Sequence, residues 1–342
     1  MVLLVAVTAL TTSGCYYTQL AAGQCRLLWQ RQPIGHLIED PETPETLRSQ
    51  LLLVEQVREY GRTLGLDVGG QYTSYVAWPG DRVLTTLVAT RPGEVDAAGF
   101  QFPIVGRLPY KGFFDRGAAE HEAKHLRDSG LDVCVSPVRA YSTLGWLPDP
   151  LTEPMLRGGS SQLIETVLHE LVHATAFVSD DAGFNEGVAS FIGREGAARY
   201  LAQHGIAGDP RSPQELAARH RASTARRRDL ARRLHALREE TAALYSSQPA
   251  GPERTARREQ LNFATRQDLA ALAPPGIEPD RFAAGIPLGD ACLALRGTYA
   301  DDTEQHRALL AALDDDLQSF VAQLVLAAGE DEPRETFFAP LR

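Results

Sequence analysis

TVLHELVHATAFVSDDAGFNEGVASFIG, residues 166–193, decides how this chain folds. Its first part carries His169, Glu170 and His173, spaced so that on a helix the two histidines lie one turn apart on a single face. Imidazoles so placed aim two ring nitrogens at one point about 2 Å away, the distance a zinc ion requires, with Glu170 projecting beside them. H-E-x-x-H is the spacing in which two histidines hold zinc and the glutamate handles the proton of a zinc-held water. The plainer reading is a histidine pair satisfied in a polar cluster on a buried helix.

A zinc centre that does chemistry needs three protein ligands and one open position, so a third ligand has to be found. Glu186 is the best placed, 13 residues beyond His173 across SDDAG, residues 179–183, whose Asp, Ser and Gly suit helix capping and chain reversal. Two antiparallel helices joined by so short a turn bring Glu186 back toward the histidines. Asp180 and Asp181 are rivals that capping or solvation explains more simply. The first helix is expected over 160–178, one side apolar and Gly158-Gly159 at its start.

Working outward, residues 41–66 read as a helix with Thr and Pro near the start and Gly65 near the end. From Gly70 the period changes to two: QYTSYVAW and RVLTTLVAT flank Pro79-Gly80-Asp81 and read as a hairpin. Residues 101–110 read as another strand, 115–129 as a polar helix and 131–145 as one or two strands. Beyond Gly158 the pattern is helical almost to the end. Residues 213–247 and 253–272, separated by QPAGP, read as an antiparallel helical hairpin. Its arginines (Arg226, Arg227, Arg228, Arg232 and Arg233 are the densest) suit either a solvated face or anionic headgroups. The expected fold class is α+β, with a small antiparallel sheet and a largely helical C-terminal half.

The 342 residues, 44% of them hydrophobic and 23% charged, suffice for a substantial core. A net charge of -10 argues against binding nucleic acid over the whole surface. The apolar run MVLLVAVTALTTSGC, residues 1–15, reads as a short export signal rather than a spanning helix. Ser13, Gly14 and Cys15 resemble the end of a bacterial lipobox, whose cysteine is diacylated and becomes the mature N-terminus. Thr12 stands there in place of the usual leucine. Residues 16–40 then form a membrane-proximal segment, and 41–342 a single domain with an α+β part (41–157) and a helical part (158–342). Four cysteines, Cys15, Cys25, Cys134 and Cys292, contain no C-x-x-C pair and so exclude a cysteine zinc ribbon. At most one disulfide is compatible with acylation of Cys15, and buried free thiols are the default for Cys134 and Cys292.

N-E-G-x-A-S, residues 185–190, resembles the ligand helix of gluzincin peptidases, which place the glutamate after Asn as a zinc ligand, though a turn or two later in the chain. A nearer resemblance covers most of the sequence. SGCYYTQLAAGQ, QRQPI, LPYKGFFD, AYSTLGWLPDPL, TVLHELVHAT, FNEGVASFIGREG and LGDACLALRGTY occur in order, and together they resemble the bacterial zinc-dependent aminopeptidase lipoproteins. That resemblance implies a zincin-like fold, one Zn(2+) per chain on His169, His173 and Glu186, and Glu170 as general base.

Several further residues are candidates. An oxyanion needs a donor besides the metal, and Tyr299, then Tyr141, are proposed for it. Asn185 and Ser190 are placed to orient the ligating rings, with helix capping as the alternative for Asn185. A free α-amine would be captured by a carboxylate, and Glu153, Asp149 and Asp290 are the choices. An edge strand within 131–141 would pair with an extended peptide. The expectation is an exported zinc aminopeptidase, lipid-anchored through Cys15 on the extracytoplasmic, periplasmic face of a membrane and acting on peptides or proteins. The alternatives are an envelope endopeptidase or a non-catalytic, membrane-anchored zinc-containing interaction protein. The oligomeric state stays open.

Overall fold

The computed structural model describes residues 2–102, 106–140, 148–179, 181–296 and 303–341, of which 2–15, 296 and 303 by backbone alone. Contacts along the chain separate two units, each assembled from three segments. Unit 1 comprises Met1–Arg31, Gly80–Arg139 and Arg228–Gly297; unit 2 comprises Gln32–Pro79, Ala140–Arg227 and Thr298–Arg342. Both units therefore draw on the expected α+β and helical parts of the chain.

In unit 1, strand Leu84–Thr90 is the centre of a three-stranded antiparallel sheet, flanked by Lys111–Phe113 and by Asp132–Val138. Side chains alternate across a strand, so its two faces bury different partners. Leu87 and Ala89 meet Ala119 and Ala123 of helix Arg116–Asp128, which Asp115 caps by accepting a hydrogen bond from Ala118 N at 2.6 Å. Val88 packs with Cys134, Ala291 and Cys292, from the strand Asp132–Val138 and the helix Asp290–Arg296. A disulfide joins Cys134 to Cys292 across 158 residues of sequence, so these cysteines are not the buried free thiols expected. Sequence alone cannot reveal which distant elements bring two thiols together. Cys25 is free and exposed.

Two strand readings are corrected. Ser74–Val76 and Leu84–Thr90 do not form a hairpin: the first pairs with Gln32–Pro33 and Leu151–Thr152, the second with the unit 1 strands. A proline and a positive-φ Gly80 between them end the first strand after three residues, which frees each run for other edges. The strand expected over 101–110 is instead a pair, Phe100–Phe102 and Gly106–Leu108, antiparallel to each other.

The helical hairpin is present as Pro213–Ser247 and Pro252–Ala271. Arg233 bonds Thr265 and Asp268, while the Arg254 guanidinium sits 4.8 Å from the Tyr245 ring centre, so later residues of one helix meet earlier residues of the other. That order makes the pair antiparallel, with Leu234, Leu237 and Leu269 in the seam. Its arginines are partly spent inside the molecule: Arg233 on this seam, and Arg227 on Glu165 and Gln162 within unit 2.

Unit 2 holds a small mixed sheet, with Ser74–Val76 antiparallel to Gln32–Pro33 and parallel to Leu151–Thr152. Around it pack helices Glu45–Thr63, Ser160–Thr175 and Ala182–His204, and the C-terminal helices Thr303–Ala312, Leu317–Ala328 and Pro333–Phe337. Gly61 lets the first of these approach closely, because a methyl there would come within 3.1 Å of Leu171. Phe184, Phe320 and Phe337 fill the far side of the core with edge-on ring contacts. The sheets and helices together make an α+β protein. One helix, Val2–Trp29, runs through the expected signal end at residue 15, and among the described residues no helix is long and apolar enough to cross a membrane.

Candidate metal centre

Helix Ser160–Thr175 buries Leu163, Ile164, Val167, Leu168 and Leu171 on one face, which turns His169 and His173 toward the following helix. It ends at Thr175, earlier than expected, and the chain continues extended through Ala176. The turn is then fixed by two side chains. Asp181 caps helix Ala182–His204 by accepting from Phe184 N at 3.0 Å. Asn185 accepts from Val178 N at 2.9 Å and donates to Val178 O at 2.7 Å, so its amide holds the linker rather than capping a helix or orienting a histidine ring. Asp180 lies outside the described residues.

The reversal brings His169, His173 and Glu186 together. Nε2 of His169 lies 3.2 Å from Nε2 of His173, and each is 3.4 Å from a carboxylate oxygen of Glu186, Oε2 for His169 and Oε1 for His173. The two rings stand nearly perpendicular, at 82°. For metal–nitrogen bonds of 2.0–2.1 Å, the edge of a coordination tetrahedron is about 3.3 Å, so these separations suit a small divalent ion with one vertex left open. No other group of three or more His, Cys, Asp or Glu residues among those described could hold a metal. His173 is 5% exposed, and its buried Nδ1 has no hydrogen-bond partner among the described residues.

Electrostatics couple the same three groups. Burial works against charge on His169, yet Glu186, Glu170 and Glu165 outweigh it and raise its pKa. Burial likewise opposes charge on Glu186, and the two histidines overcome it, holding the carboxyl far below the usual range. A carboxylate that stays ionised among imidazoles is a pre-formed anionic ligand.

Three contributors were not apparent from sequence. Gly193 lies two turns beyond Glu186, where a methyl would come within 2.8 Å of Glu165 O and 3.1 Å of His169 Cβ, so the two ligand helices touch there. Glu165, one turn before His169, meets Arg227, Arg194 (3.8 Å) and His220 (3.9 Å). The four-residue spacing E-x-x-x-H is the signal that could have found it. Tyr72 is fully buried with φ of 57°, a left-handed conformation that costs a bulky residue energy. Burial first, then the carboxylates of Glu170 and Asp149, push its hydroxyl well above the ordinary tyrosine range.

The remaining candidates separate clearly. Both oxygens of Asp290 are taken, one by Tyr245 OH at 2.7 Å and one by Arg258 Nη2 at 3.0 Å. Glu153 accepts from Tyr75 OH at 2.5 Å. Asp149, buried against Gln71 and Tyr72, is the one whose charge reaches the phenol that Glu170 also reaches. Ser190 lies one turn beyond Glu186, and among the described residues it makes no hydrogen bond to either histidine. The strand Asp132–Val138 is an edge strand, in unit 1, whereas His169, His173 and Glu186 are all in unit 2. Tyr299 and Tyr141 lie outside the described residues, and of Cys15 only the backbone is described.

A family model described as "Putative aminopeptidase" matches residues 15–337. The chain belongs to this aminopeptidase family. The match takes in the whole ligand cluster and begins at residue 15. No curated protein and no solved structure matches the chain.

Proposed function

We propose that this member of the aminopeptidase family is a zinc-dependent aminopeptidase of zincin-like fold, with one Zn(2+) held by His169, His173 and Glu186. The observation that carries the reading is the convergence of two Nε2 atoms and one carboxylate at separations of 3.2–3.4 Å, with Glu170 on the same helix. Closed structural zinc sites favour four ligands rich in cysteine, and three ligands beside a glutamate suit turnover instead.

Bound zinc supplies Lewis acidity toward a peptide carbonyl and toward a water at the open position. Glu170 takes the proton of the attacking water and returns it to the leaving amine. The buried Tyr72 phenol stays protonated in this setting, held so by burial and by the charges of Glu170 and Asp149.

The same reading makes the protein exported and lipid-anchored through Cys15, on the periplasmic face of a bacterial membrane. Support comes from Ser13-Gly14-Cys15, from the start of the family match at residue 15, and from the disulfide, a bond that persists in oxidising compartments.

The test is a peptide library with free and blocked N-termini, read with the wild type and with Glu170→Gln, alongside metal analysis of the purified protein. About one zinc per chain, lost in His169→Ala, is expected for a single three-ligand site. Cleavage should be confined to free N-termini and abolished in Glu170→Gln. Equal cleavage by both proteins would sink the mechanism, and cleavage of blocked peptides would make the enzyme an endopeptidase.

A further inference from the structure

The segment that follows Cys15 is packed from its first residue. The Tyr16 ring lies 5.4 Å from that of Phe113 and 5.9 Å from that of Phe102, with Lys111 Nζ 4.7 Å from its centre. One turn on, Gln19 Oε1 accepts a hydrogen bond from Phe114 N at 2.9 Å. At Gly23 the helix passes so close to Phe114 that a methyl would overlap the ring, and Leu27 is 1% exposed. All of these contacts lie within unit 1. Successive Cα atoms are about 3.8 Å apart, so a group carried by Cys15 starts within one residue of a fixed surface.

That surface carries the side chains an interface needs. Tyr17, 37% exposed, stands 5.3 Å from the Tyr16 ring, and Tyr110 is 46% exposed. Tyr110 also contributes to pushing the Tyr16 hydroxyl up to about 12, after burial, Tyr17 and Glu122. Phenols with an apolar ring and a polar tip settle at the headgroup level of bilayers.

Resting on the reading of Cys15 as the lipid anchor, we propose that the anchor has no flexible tether. The acyl chains leave the protein directly beside Tyr16, and the face of unit 1 around Tyr17 and Tyr110 lies in the headgroup layer of a phospholipid membrane.

The experiment uses the full chain purified with its lipid and reconstituted into phosphatidylcholine–phosphatidylglycerol vesicles, some made with brominated phospholipid, a quencher of tryptophan emission. Mass spectrometry first establishes whether Cys15 is acylated. Tyr110→Trp, and separately Tyr17→Trp, add emission above that of the native tryptophans. Brominated vesicles should quench this added emission, and a flexible Gly-Ser insert between Cys15 and Tyr16 should restore it. Acylated Cys15 with added emission unchanged by bromine in both variants would overturn the tetherless contact while leaving the anchor intact. A chain that starts at Met1 with an unmodified Cys15 thiol would overturn the anchor and the contact together.

Discussion

Gly193 and His169 touch across helices Ala182–His204 and Ser160–Thr175: a methyl on Gly193 would come within 3.1 Å of His169 Cβ and 2.8 Å of the Glu165 carbonyl oxygen. The second neighbour is backbone and cannot swing aside. Glu186 is two turns away on the glycine's own helix, so the spacing of the helices here sets how its carboxylate meets the histidines.

Gly193→Ala should therefore part the helices by a few tenths of an ångström and loosen the ligand triangle. Overpacking of this kind costs about 1–3 kcal/mol, although alanine is the better helix former. Urea unfolding should give a lower midpoint at unchanged slope, and a metal-competition titration should give weaker zinc binding. Wild-type affinity in a destabilised variant would mean that the contact serves packing alone.

Asn185 makes a second, separate prediction. Its amide satisfies both the N–H and the C=O of Val178, and both residues are buried. Asn185→Ala leaves two buried polar groups without partners, each costing about 1–3 kcal/mol. Hydrogen exchange should speed up at Val178 and through the first turn of Ala182–His204. An unchanged exchange rate at Val178 would remove Asn185 from the turn.

That His169, His173 and Glu186 come together was legible because it depends on local periodicity: a four-residue spacing, a short polar turn and a second helix. Helix Arg116–Asp128 and the two arms of the hairpin were legible for the same reason, each carrying its own start and stop residues. Partners distant in sequence were not. Nothing local to Ser74–Val76 states that Gln32–Pro33 and Leu151–Thr152 will be its neighbours, and nothing near Cys134 points to Cys292. Tyr72 shows the same limit at the site. Its setting rests on a left-handed backbone and on carboxylates at positions 149 and 170, neither of which a string of residues displays. Asn185 was singled out for the right neighbourhood, and its geometry gave it a different partner.

The disulfide closes a loop whose ends are 158 residues apart, so its loss mainly enlarges the unfolded ensemble. Cys134→Ala with Cys292→Ala should lower unfolding stability by about 2–4 kcal/mol. Trapping of thiols in the denatured wild type, without reductant, should label Cys25 and leave Cys134 and Cys292 unlabelled. Labelling of all three would show that the pair is reduced in the native protein.

His220, which lies outside the His169, His173 and Glu186 cluster, gives a pH dependence of its own. It is 5% exposed, its Nε2 faces Arg194 O at 3.1 Å and its Nδ1 faces Ser161 Oγ at 2.7 Å. Glu165 favours its charged form, Arg227 and Arg221 oppose it, and burial, the largest influence, lowers its pKa below 6.5. A lowered folded pKa means that the unfolded chain binds the proton first. Above pH 6.5 both states are neutral at this ring, and His220 contributes no slope. As pH falls below that value, protonation favours the unfolded state, and stability drops until the folded ring also titrates. His220→Gln, which cannot take the proton, should lose this share of the acid-side slope. Urea midpoints of wild type and variant, measured from pH 7 downward with metal held at saturation, should converge toward low pH. Parallel curves would mean that His220 takes up its proton alike in the folded and the unfolded chain.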